Sequence, residues 1–314
     1  MKLSFVIPVF NEEESLDILY HEIIENIKCY EYEIIFIDDG STDNSYEIIK
    51  NIADKDTNLK IIGFRRNFGK SAALHLGFSY CSGDIVFTMD ADLQDNPQEI
   101  PSFIKQIHEG WDIVTGWKKK RKDPLSKTLP SKIFNFITSK TFNLKLHDYN
   151  CGFKAYKKEV VKELDIYGEM HRYIPALAIA KGFTVKEIEV NHRERRFGKS
   201  KFGIERYLRG FLDLLTVKLV TTFNRSPLYL FGGIGTIIFG SGFLIALYLT
   251  VMRFMKLMYL TNRPLLFLSI LMIIVGLQFV SIGLIGELLV NQSRKLNKNE
   301  TISIKSLVNL TDNK

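Results

Sequence analysis

The sequence predicts an α/β protein with a mostly parallel sheet, followed by a helical hairpin long enough to cross a membrane. Over residues 1–225, short apolar runs alternate with stretches of helical periodicity, an order typical of a parallel sheet with helices on both faces. Two apolar stretches follow, roughly residues 228–252 and 264–290. Each exceeds the length of about 20 residues that a membrane-spanning helix needs.

The alternation of strands and helices begins at the first residues. Apolar runs bounded by polar or turn residues predict the strands, and apolar residues at helical spacing predict the helices. We expect Glu12, Glu13 and Glu14 in the first turn of the first helix, and Ser41 or Asp43 as the cap of the second. In chain order the predicted elements are strand 3–9, helix 12–27, strand 32–38, helix 43–54, strand 60–64, helix 70–80, strand 85–89, helix 98–109 and strand 113–116.

Polar residues follow four successive strands of this predicted sheet. In open α/β sheets, ligands bind beyond the carboxyl ends of the strands. We therefore expect a binding site along this edge. The residues concerned are Pro8 and residues 11–13 after the first strand, residues 38–41 after the second, residues 65–67 after the third and residues 90–95 after the fourth.

Asp90 and Asp92 directly follow the strand predicted over residues 85–89. Because alternate residues of an extended chain share a face, we expect both carboxylates to point toward one cation. Mg²⁺ or Mn²⁺ bound by one or two carboxylates takes its other ligands from water and substrate phosphates. An Asp-x-Asp triplet alone is more often a pair of solvated loop carboxylates, so the neighbouring motifs carry the prediction.

The two apolar stretches predict membrane spans joined by a short polar turn over residues 253–263. Residues 1–8 are too short an apolar run for a signal peptide, so we expect the first 204 residues, the α/β domain, to remain in the cytosol. Basic residues at 294, 295 and 298 favour that orientation, whereas those at 253, 256 and 263 oppose it. We expect residues 205–226 to form an amphipathic helix at the membrane interface, with a core helix as the alternative, and residues 293–314 to form a polar, loosely ordered cytosolic tail.

The net charge of +7 is concentrated in two basic clusters, residues 118–122 and 192–201. Beside membrane spans such clusters usually meet lipid phosphate, and no nucleic-acid-binding motif accompanies them, so we expect no nucleic-acid partner. Cys29, Cys81 and Cys151 lie far apart and are expected to be reduced thiols. Gly69-Lys70-Ser71 lacks the first glycine of a P-loop. Small residues at 232, 236 and 240 form a stripe that favours close helix packing.

Together these motifs resemble those of family 2 glycosyltransferases, which have the Rossmann-like GT-A fold. The matching segments are residues 6–13, 37–43 and 90–95. The polyprenyl-phosphate branch, which includes dolichol-phosphate mannose synthases and GtrB-like enzymes, also shares residues 66–70, 147–154 and 195–201, and its GtrB-like members share two C-terminal spans. Gly286-Glu287 matches that branch, but Leu288 and Leu289 follow it here, whereas the family commonly has a tyrosine next and an arginine later.

The resemblance implies an inverting, metal-dependent enzyme of the inner (plasma) membrane that moves a hexose from UDP-glucose to undecaprenyl phosphate, for modification of a cell-surface polysaccharide. UDP-N-acetylglucosamine and other nucleotide sugars remain open as donors, and relatives of this type can form tetramers. The implied roles are nucleotide-sugar binding by Pro8, Asn11, Glu13, Asp38, Asp39, Asn67, Lys70 and Asp90, binding of Mg²⁺ or Mn²⁺ by Asp92 and Asp90, catalysis by Asp148 and Asp92, and lipid-phosphate binding by Arg195, Ser200 and Lys201.

Four alternatives accompany this interpretation. Asp148 is either a base or an orienting group, because a phosphate monoester, with a second pKa near 6, scarcely needs a base. A processive polysaccharide synthase would carry Gln-x-x-Arg-Trp, yet neither Trp111 nor Trp117 follows an arginine. The basic loop of residues 195–201 is alternatively a general patch for anionic lipids, and the whole protein a non-enzymatic sensor of nucleotide sugars.

Overall fold

The computed structural model describes residues 1–119, 135, 137–140, 142, 144–194, 196–197, 216–217, 227–255, 264–296 and 304–308. The chain divides into two compact units. The first contains residues 1–217 and 301–314, and the second contains residues 218–300. The predicted interfacial helix, residues 205–226, lies outside the described residues except for Thr216 and Val217, which are helical.

The described strands of the first unit form one eight-stranded sheet. They are β1 (Lys2–Val9), β2 (Glu31–Asp38), β3 (Leu59–Phe64), β4 (Ile85–Thr88), β5 (Ile113–Trp117), β6 (Lys154–Lys157), β7 (Val185–Glu189) and β8 (Ile304–Val308). Their order is β7-β5-β6-β4-β1-β2-β3-β8. Because β4, β1, β2 and β3 are parallel, their carboxyl ends form a common edge, which we call the carboxyl edge. Antiparallel β6 joins this group to the parallel pair of β5 and β7.

The helices of the first unit follow the predicted alternation, which confirms the α/β fold class. Helix α3 has the predicted bounds, and the strands through β5 agree with prediction within one residue at each end. The helices are α1 (Leu16–Asn26), α2 (Ser45–Ala53), α3 (Lys70–Tyr80), α4 (Ile100–His108), α5 (Lys158–Glu163) and α6 (Ile174–Ala180), with 3₁₀ turns at Pro97–Glu99 and Met170–Arg172.

The starts of α1 and α2 differ from prediction. Residues 12–14 precede α1 instead of forming its first turn, and Asn44 occupies the N-cap of α2 in place of Ser41 or Asp43. Tertiary contacts account for these differences, because the chain segments that follow β1 and β2 are hydrogen-bonded to each other. The amide of Glu12, for example, donates to Ser45 Oγ at 2.9 Å.

Aromatic side chains fill the core behind the carboxyl edge. Phe5 and Phe87, on neighbouring strands, stack with ring centroids 5.0 Å apart. Phe103 of α4 contacts Phe153 at 4.3 Å between centroids. All four are fully buried, and each such side chain contributes roughly 1.5–3 kcal/mol by its removal from water. The strand ends are therefore held on a rigid base.

A buried carboxylate, Glu33, is fully hydrogen-bonded at the opposite, amino end of the strands. It accepts hydrogen bonds from Ser4 Oγ and the Ser82 amide, both at 2.5 Å, and from Lys60 Nζ at 2.7 Å. Lys2 Nζ lies 3.3 Å away. Burial disfavours the charged form, but the hydrogen bonds and the charge of Lys60 outweigh it and lower the pKa of Glu33 to about 2.

The expectation of a loosely ordered tail after residue 293 is wrong for two segments. The helix that begins at Pro264 continues to Leu296, and β8 then pairs antiparallel with β3, with Ile62 opposite Leu307. Without β8, the outer side of β3 would present unpaired amide and carbonyl groups. The sequence carries no strong signal for this strand because its partner, rather than its own composition, stabilises it.

The second unit contains the two predicted apolar helices, α7 (Pro227–Phe254) and α8 (Pro264–Leu296). Among the described residues, these two are long and apolar enough to cross a membrane. Few of their apolar side chains are buried within the protein, unlike those of a soluble core helix. Both predicted spans therefore correspond to continuous helices.

The two helices approach closely at several glycines, of which Gly232 belongs to the predicted stripe: a Cβ on Gly283 would lie 3.3 Å from the amide of Gly232. A Cβ atom on Gly235 would lie 2.6 Å from the carbonyl oxygen of Gly276, and one on Gly276 would lie 2.5 Å from the amide of Phe239. A Cβ on Gly240 would meet no atom within 4 Å. Gly235 and Gly276 thus allow close backbone approach, as does Gly242, where a Cβ would lie 2.8 Å from the carbonyl oxygen of Ser269.

Candidate active site

The loops after β1 and β2 are joined by two of the predicted nucleotide-binding residues. Asn11 has a left-handed backbone with φ of 54°. Its amide donates to Ser41 Oγ at 3.0 Å, and its Oδ1 accepts the amide of Thr42 at 2.7 Å. Glu13 accepts the amide of Asn44 at 2.9 Å. These side chains therefore shape the rim of the carboxyl edge and fix its backbone.

Asp39 links the loop after β2 to the start of α3. Its two oxygens accept the amides of Phe68 at 2.7 Å and Gly69 at 2.9 Å. Burial raises the pKa of Asp39 to about 6, although the two amides oppose the shift. Asp38 is equally buried and accepts the amide of Ser41 at 3.2 Å. Both aspartates thus accept hydrogen bonds from backbone amides of the loops at the carboxyl edge.

Two further predicted nucleotide-binding residues lie at this edge in different settings. Pro8 is within β1, opposite Ile37 of β2. Asn67 is exposed in the loop between β3 and α3. The structure thus brings the predicted residues to the ends of β1, β2 and β3 as the sequence indicated.

Asp90 and Asp92 lie in a turn after β4, which ends at Thr88. The expectation that an extended strand aligns them is therefore wrong. Leu93, with φ of 61°, takes the left-handed conformation that turns the chain here, a strained state for a bulky residue. Burial raises the pKa of Asp92 to about 6, and repulsion from Asp90 and Asp95 adds to the shift. The turn thus concentrates three carboxylates.

Two lysines offset part of this negative charge. Lys70, the first residue of α3, forms an ion pair with Asp90. Lys118 Nζ lies 3.1 Å from Asp95 Oδ1, while Asp95 Oδ2 accepts the amide of Asp90 at 3.2 Å. Burial disfavours charge on Asp90, yet Lys70 and Lys118 hold its pKa below the ordinary value.

Lys118 belongs to the basic cluster that we expected to face lipid phosphate. That expectation is wrong for this residue, because its side chain is only 12% exposed and pairs with Asp95. The charge of Asp95, which raises the pKa of Lys118 against the effect of burial, accounts for a charged lysine in this position. No local sequence pattern indicates this ion pair, because its two residues lie 23 positions apart.

Gly152, which ends the segment that begins at Asp148, lies against the side chain of Asp90. Asp148 is 1% exposed, and its Oδ1 accepts the amide of Asn150 at 3.1 Å. Thr88 Oγ1 donates to the carbonyl of Gly152 at 2.8 Å. A Cβ on Gly152 would lie 2.7 Å from Cγ of Asp90, so only glycine allows this approach. The predicted catalytic segment and the predicted metal-binding turn are therefore neighbours.

Sequence reasoning missed two polar residues beside this segment. Lys154 is 3% exposed and donates to the carbonyl of Cys151, and burial lowers the pKa of Lys154. His171 Nδ1 lies 3.0 Å from Ser71 Oγ. A cavity of about 10 Å³, roughly the volume that holds one water, is lined by both residues. Lys154 lies in the shared segment 147–154, which was a usable signal, whereas nothing in the sequence distinguished His171.

The chain preceding the predicted lipid-phosphate residues is tied to the metal-binding turn. The amide of Arg193 donates to the carbonyl of Gln94 at 3.0 Å. Its guanidinium binds Glu22 Oε2 and Asn96 Oδ1, each at 2.5 Å. Arg193 thus serves an internal contact, although its basic cluster was expected to face lipid. The predicted residues Arg195, Ser200 and Lys201 lie outside the described residues.

The carboxylates of the turn fit a divalent cation that shares its ligands with a substrate. Within the described ranges, no group of three His, Cys, Asp or Glu side chains is placed to hold a metal ion. Mg²⁺ in phosphate-transfer sites typically takes one or two carboxylates and completes its shell with water and phosphate oxygens. The concentration of negative charge around Asp92 favours such a cation.

Comparison with known families identifies the scaffold. The sequence model described as "Glycosyl transferase family 2" matches residues 4–165, more than half of the chain. The chain belongs to glycosyltransferase family 2. The matched region contains the carboxyl edge, the acidic turn and the segment bearing Asp148, so the candidate active site lies within the family domain.

Relatives over most of the chain define the branch. An undecaprenyl-phosphate 4-deoxy-4-formamido-L-arabinose transferase of Photorhabdus laumondii is 38% identical over 290 residues, covering 91% of this chain and 88% of that protein. A dodecaprenyl-phosphate galacturonate synthase of Rhizobium johnstonii is 34% identical over 296 residues, covering 92% and 88% respectively. This family 2 member is therefore a glycosyltransferase of the polyprenyl-phosphate branch and a membrane protein, as the motifs indicated.

Solved structures confirm the GT-A fold. Glucosyl-3-phosphoglycerate synthase from Mycobacterium tuberculosis, solved with Mn²⁺, UDP and glucosyl-3-phosphoglycerate, superposes with a TM-score of 0.55 at 18% identity. The match covers 69% of this chain and 79% of that one. The same enzyme with phosphoglyceric acid gives a TM-score of 0.53 at 19% identity, covering 70% and 79%.

Proposed function

We propose that this glycosyltransferase moves one sugar, with inversion, from a UDP-linked donor to undecaprenyl phosphate. The observation that carries the proposal is the acidic turn, with Asp90, Asp92 and Asp95, packed against the segment that bears Asp148. In a single in-line displacement, a phosphate oxygen of the lipid bonds to the sugar carbon as the bond to UDP breaks. Such a reaction needs charge control at the leaving diphosphate and an oriented acceptor.

The donor half of the site lies along the ends of β1, β2 and β3. Hydrogen bonds among Asn11, Ser41 and Thr42 hold two rim loops together, so a nucleotide would meet a preformed surface. Lys70 stands beside Asp90, where its positive charge suits a diphosphate. The residues proposed to bind the nucleotide sugar are Pro8, Asn11, Glu13, Asp38, Asp39, Asn67, Lys70 and Asp90.

Asp92 and Asp90 are the proposed ligands of a divalent cation, Mg²⁺ or Mn²⁺. Such a cation, when bound, neutralises the charge that develops on the departing diphosphate. The fold relative from Mycobacterium tuberculosis named with Mn²⁺ and UDP supports this expectation. Asp95 and Lys118 fix the backbone of the turn through the amide of Asp90.

The acceptor half of the site joins Asp148 to the basic loop. A lipid phosphate is already largely ionised at neutral pH, since its second pKa is near 6. We therefore assign Asp148 to orientation of the acceptor or stabilisation of positive charge at the sugar carbon. Arg195, Ser200 and Lys201 are proposed to bind the lipid phosphate, for which a planar guanidinium is well suited.

Helices α7 and α8 are proposed to cross the inner (plasma) membrane with the catalytic unit on the cytosolic side. Their length and apolar composition support spanning. The chain returns from α8 to β8, a strand of the catalytic sheet, which supports an even number of crossings. This arrangement would deliver the lipid phosphate to the unit that holds the donor.

The donor sugar is the least constrained part of the proposal. Glucose is the expectation from the resemblance, whereas the two relatives are named for galacturonate and for 4-deoxy-4-formamido-L-arabinose. These sugars differ at carbons 4 to 6, far from the shared diphosphate, so one scaffold serves several of them. UDP-glucose, UDP-N-acetylglucosamine, UDP-galacturonate and UDP-4-deoxy-4-formamido-L-arabinose therefore form the test panel.

The test uses full-length protein in nanodiscs with undecaprenyl phosphate, Mg²⁺ or Mn²⁺, and each radiolabelled UDP-sugar. We expect one donor to label the lipid extract, with one UDP released per sugar and a single product size. Transfer from none of the donors, despite measurable UDP binding, would contradict the enzymatic proposal and favour a nucleotide-sugar sensor. A ladder of products would indicate a processive polysaccharide synthase.

A further inference from the structure

Glu187 of β7 binds the backbone at the point where Asp148 begins. Its carboxylate accepts the amide of Asp148 at 2.8 Å and the amide of His147 at 3.0 Å, both through Oε1. Oε2 lies 3.1 Å from the same His147 amide. The side chain of Glu187 is only 10% exposed. Hydrogen bonds from amides to a partly buried carboxylate are stronger than those between neutral groups.

The ring of His147 is held in the same arrangement. His147 Nδ1 lies 2.7 Å from Glu187 Oε2. On its face, the ring stacks against Trp117 of β5, with centroids 4.0 Å apart and planes 14° from parallel. Strands β5 and β7 are paired, so the carboxylate and the indole project from one rigid surface. The residue before Asp148 is thus fixed by backbone, ring edge and ring face together.

We propose that Glu187 is the positioning residue of Asp148: it binds two successive amides and so fixes the direction in which the Asp148 side chain leaves the backbone. The inference rests on the proposed function, which places Asp148 beside the reacting groups. Asp148 is 1% exposed, so a small rotation of its backbone would move the carboxylate relative to the acidic turn rather than into solvent. Glu187 acts through Asp148 and needs no contact with substrate.

Glu189 provides a matched comparison two residues further along β7. Because side chains alternate along a strand, Glu187 and Glu189 project to the same side of the sheet. Glu189 pairs with Lys119 at 2.5 Å, and both side chains are more than half exposed. Exposed ion pairs of this kind contribute little to stability. Comparing removal of the Glu187 carboxylate with removal of the Glu189 carboxylate therefore distinguishes a positioning role from a general effect of charge on this strand.

The first experiment measures sugar transfer by the full chain carrying Glu187→Ala, Glu187→Gln or Glu189→Ala. We expect Glu187→Ala to lower kcat about 100-fold, the loss typical of a catalytic group displaced by about 1 Å, with donor KM changed less than about twofold. Glu187→Gln should recover most of the activity, because its carboxamide oxygen still accepts both amides. Glu189→Ala should match the wild type.

Wild-type kcat in Glu187→Ala, or an equal loss in Glu187→Gln and Glu187→Ala, would overturn the inference. If Glu187→Ala does not fold, Glu187→Asp decides instead. Its shorter side chain cannot reach both amides, so we expect a folded protein with kcat reduced about tenfold. Unchanged kcat in that variant would likewise overturn it.

A double-mutant cycle with Asp148→Asn separates this inference from the proposed function. If Glu187 acts only through Asp148, then adding Glu187→Ala to Asp148→Asn should leave the residual transfer rate unchanged. Losses that multiply would show that Glu187 acts elsewhere. Full activity of Asp148→Asn alone would instead refute the proposed role of Asp148, whatever the Glu187 variants do.

Discussion

The two ends of the parallel strands carry buried carboxylates, Glu33 and Asp92, whose pKa values are shifted in opposite directions. At the amino end, hydrogen bonds and the charge of Lys60 lower the pKa of Glu33 to about 2 against the effect of burial. At the carboxyl edge, burial and neighbouring carboxylates raise the pKa of Asp92 to about 6, and burial raises that of Asp39 to about 6. The same sheet thus carries a stabilised Glu33 at one end, and at the other end a cluster in which the lysines lower the pKa of Asp90 but leave that of Asp92 raised.

This difference suggests that the amino end of the strands contributes to stability, whereas the carboxyl edge is adapted to bind a ligand. A carboxylate with a lowered pKa stabilises the folded state at neutral pH, whereas one with a raised pKa destabilises it. Proteins retain such unfavourable charge where a ligand relieves it. The acidic turn around Asp92 therefore marks the end of the sheet at which a cation and a diphosphate are expected.

The largest effect should come from Asp92→Asn. Loss of the charge that holds the proposed cation should lower kcat at least about 1000-fold, or about 4 kcal/mol. Because the native carboxylate is unfavourable at neutral pH, the melting temperature should stay equal or rise. Turnover and thermal unfolding of the purified variant test both statements. Near-normal turnover would remove Asp92 from the mechanism.

Glu33→Gln should produce the reverse pattern. The folded-state pKa of about 2 against an ordinary value of 4.5 corresponds to roughly 3 kcal/mol of stability. This contribution is complete above about pH 4.5 and is lost as the pH falls toward 2. Thermal unfolding should therefore show a lower melting temperature for Glu33→Gln at pH 7 and a smaller difference from the wild type at pH 3.

The Glu33→Gln variant should keep the wild-type turnover when the rate is expressed per folded molecule. Equal melting temperatures for the variant and the wild type at pH 7 would refute the stabilising role of Glu33. A loss of turnover beyond the unfolded fraction would show that the amino end of the strands also affects chemistry.

Gly152→Ala should displace a side chain of the acidic turn without changing the charge of the turn. The added methyl group overlaps the carboxylate of Asp90, so Asp90 must move. We expect Mn²⁺-dependent UDP affinity to fall about 30-fold, or about 2 kcal/mol. Gly240→Ala, where the new Cβ meets no atom within 4 Å, is the matched control. Unchanged affinity in Gly152→Ala would mean that the position of Asp90 does not limit binding.

Arg193→Ala should have the smallest effect and should act on the acceptor. Loss of the contacts with Glu22 and Asn96 loosens the base of the basic loop. We expect the KM for undecaprenyl phosphate to rise about fivefold, or about 1 kcal/mol, with UDP affinity unchanged. Glu22→Gln, which weakens the same contact from α1, should change this KM in the same direction. A selective loss of UDP affinity would instead connect Arg193 to the donor.

The sequence predicted the parts of the fold that depend on local pattern. Strand and helix periodicity gave the elements through β5, and length with hydropathy gave α7 and α8. It missed β8, because a short edge strand is stabilised by its neighbour rather than by its own residues. It also misplaced the start of α1, where hydrogen bonds to the loop after β2 override the helical preference of residues 12–14.

The site was predicted by position along the chain but not by its geometry. Motif residues were placed correctly at the strand ends, yet the turn at Leu93, rather than an extended strand, concentrates the carboxylates. Lys118 and Glu187 were missed as site residues because their roles depend on contacts with Asp95 and with the amide of Asp148. Such contacts join segments that are distant in sequence, so local sequence patterns do not predict them.

Calorimetric titration of UDP into the full chain, with and without Mn²⁺, tests the central claim most directly. It requires neither the donor sugar nor the lipid. If the carboxyl edge is a cation-dependent diphosphate site, Mn²⁺ should strengthen UDP binding at least about tenfold in the wild type and leave it unchanged in Asp92→Asn. Equal UDP affinity in the wild type with and without Mn²⁺ would contradict the account.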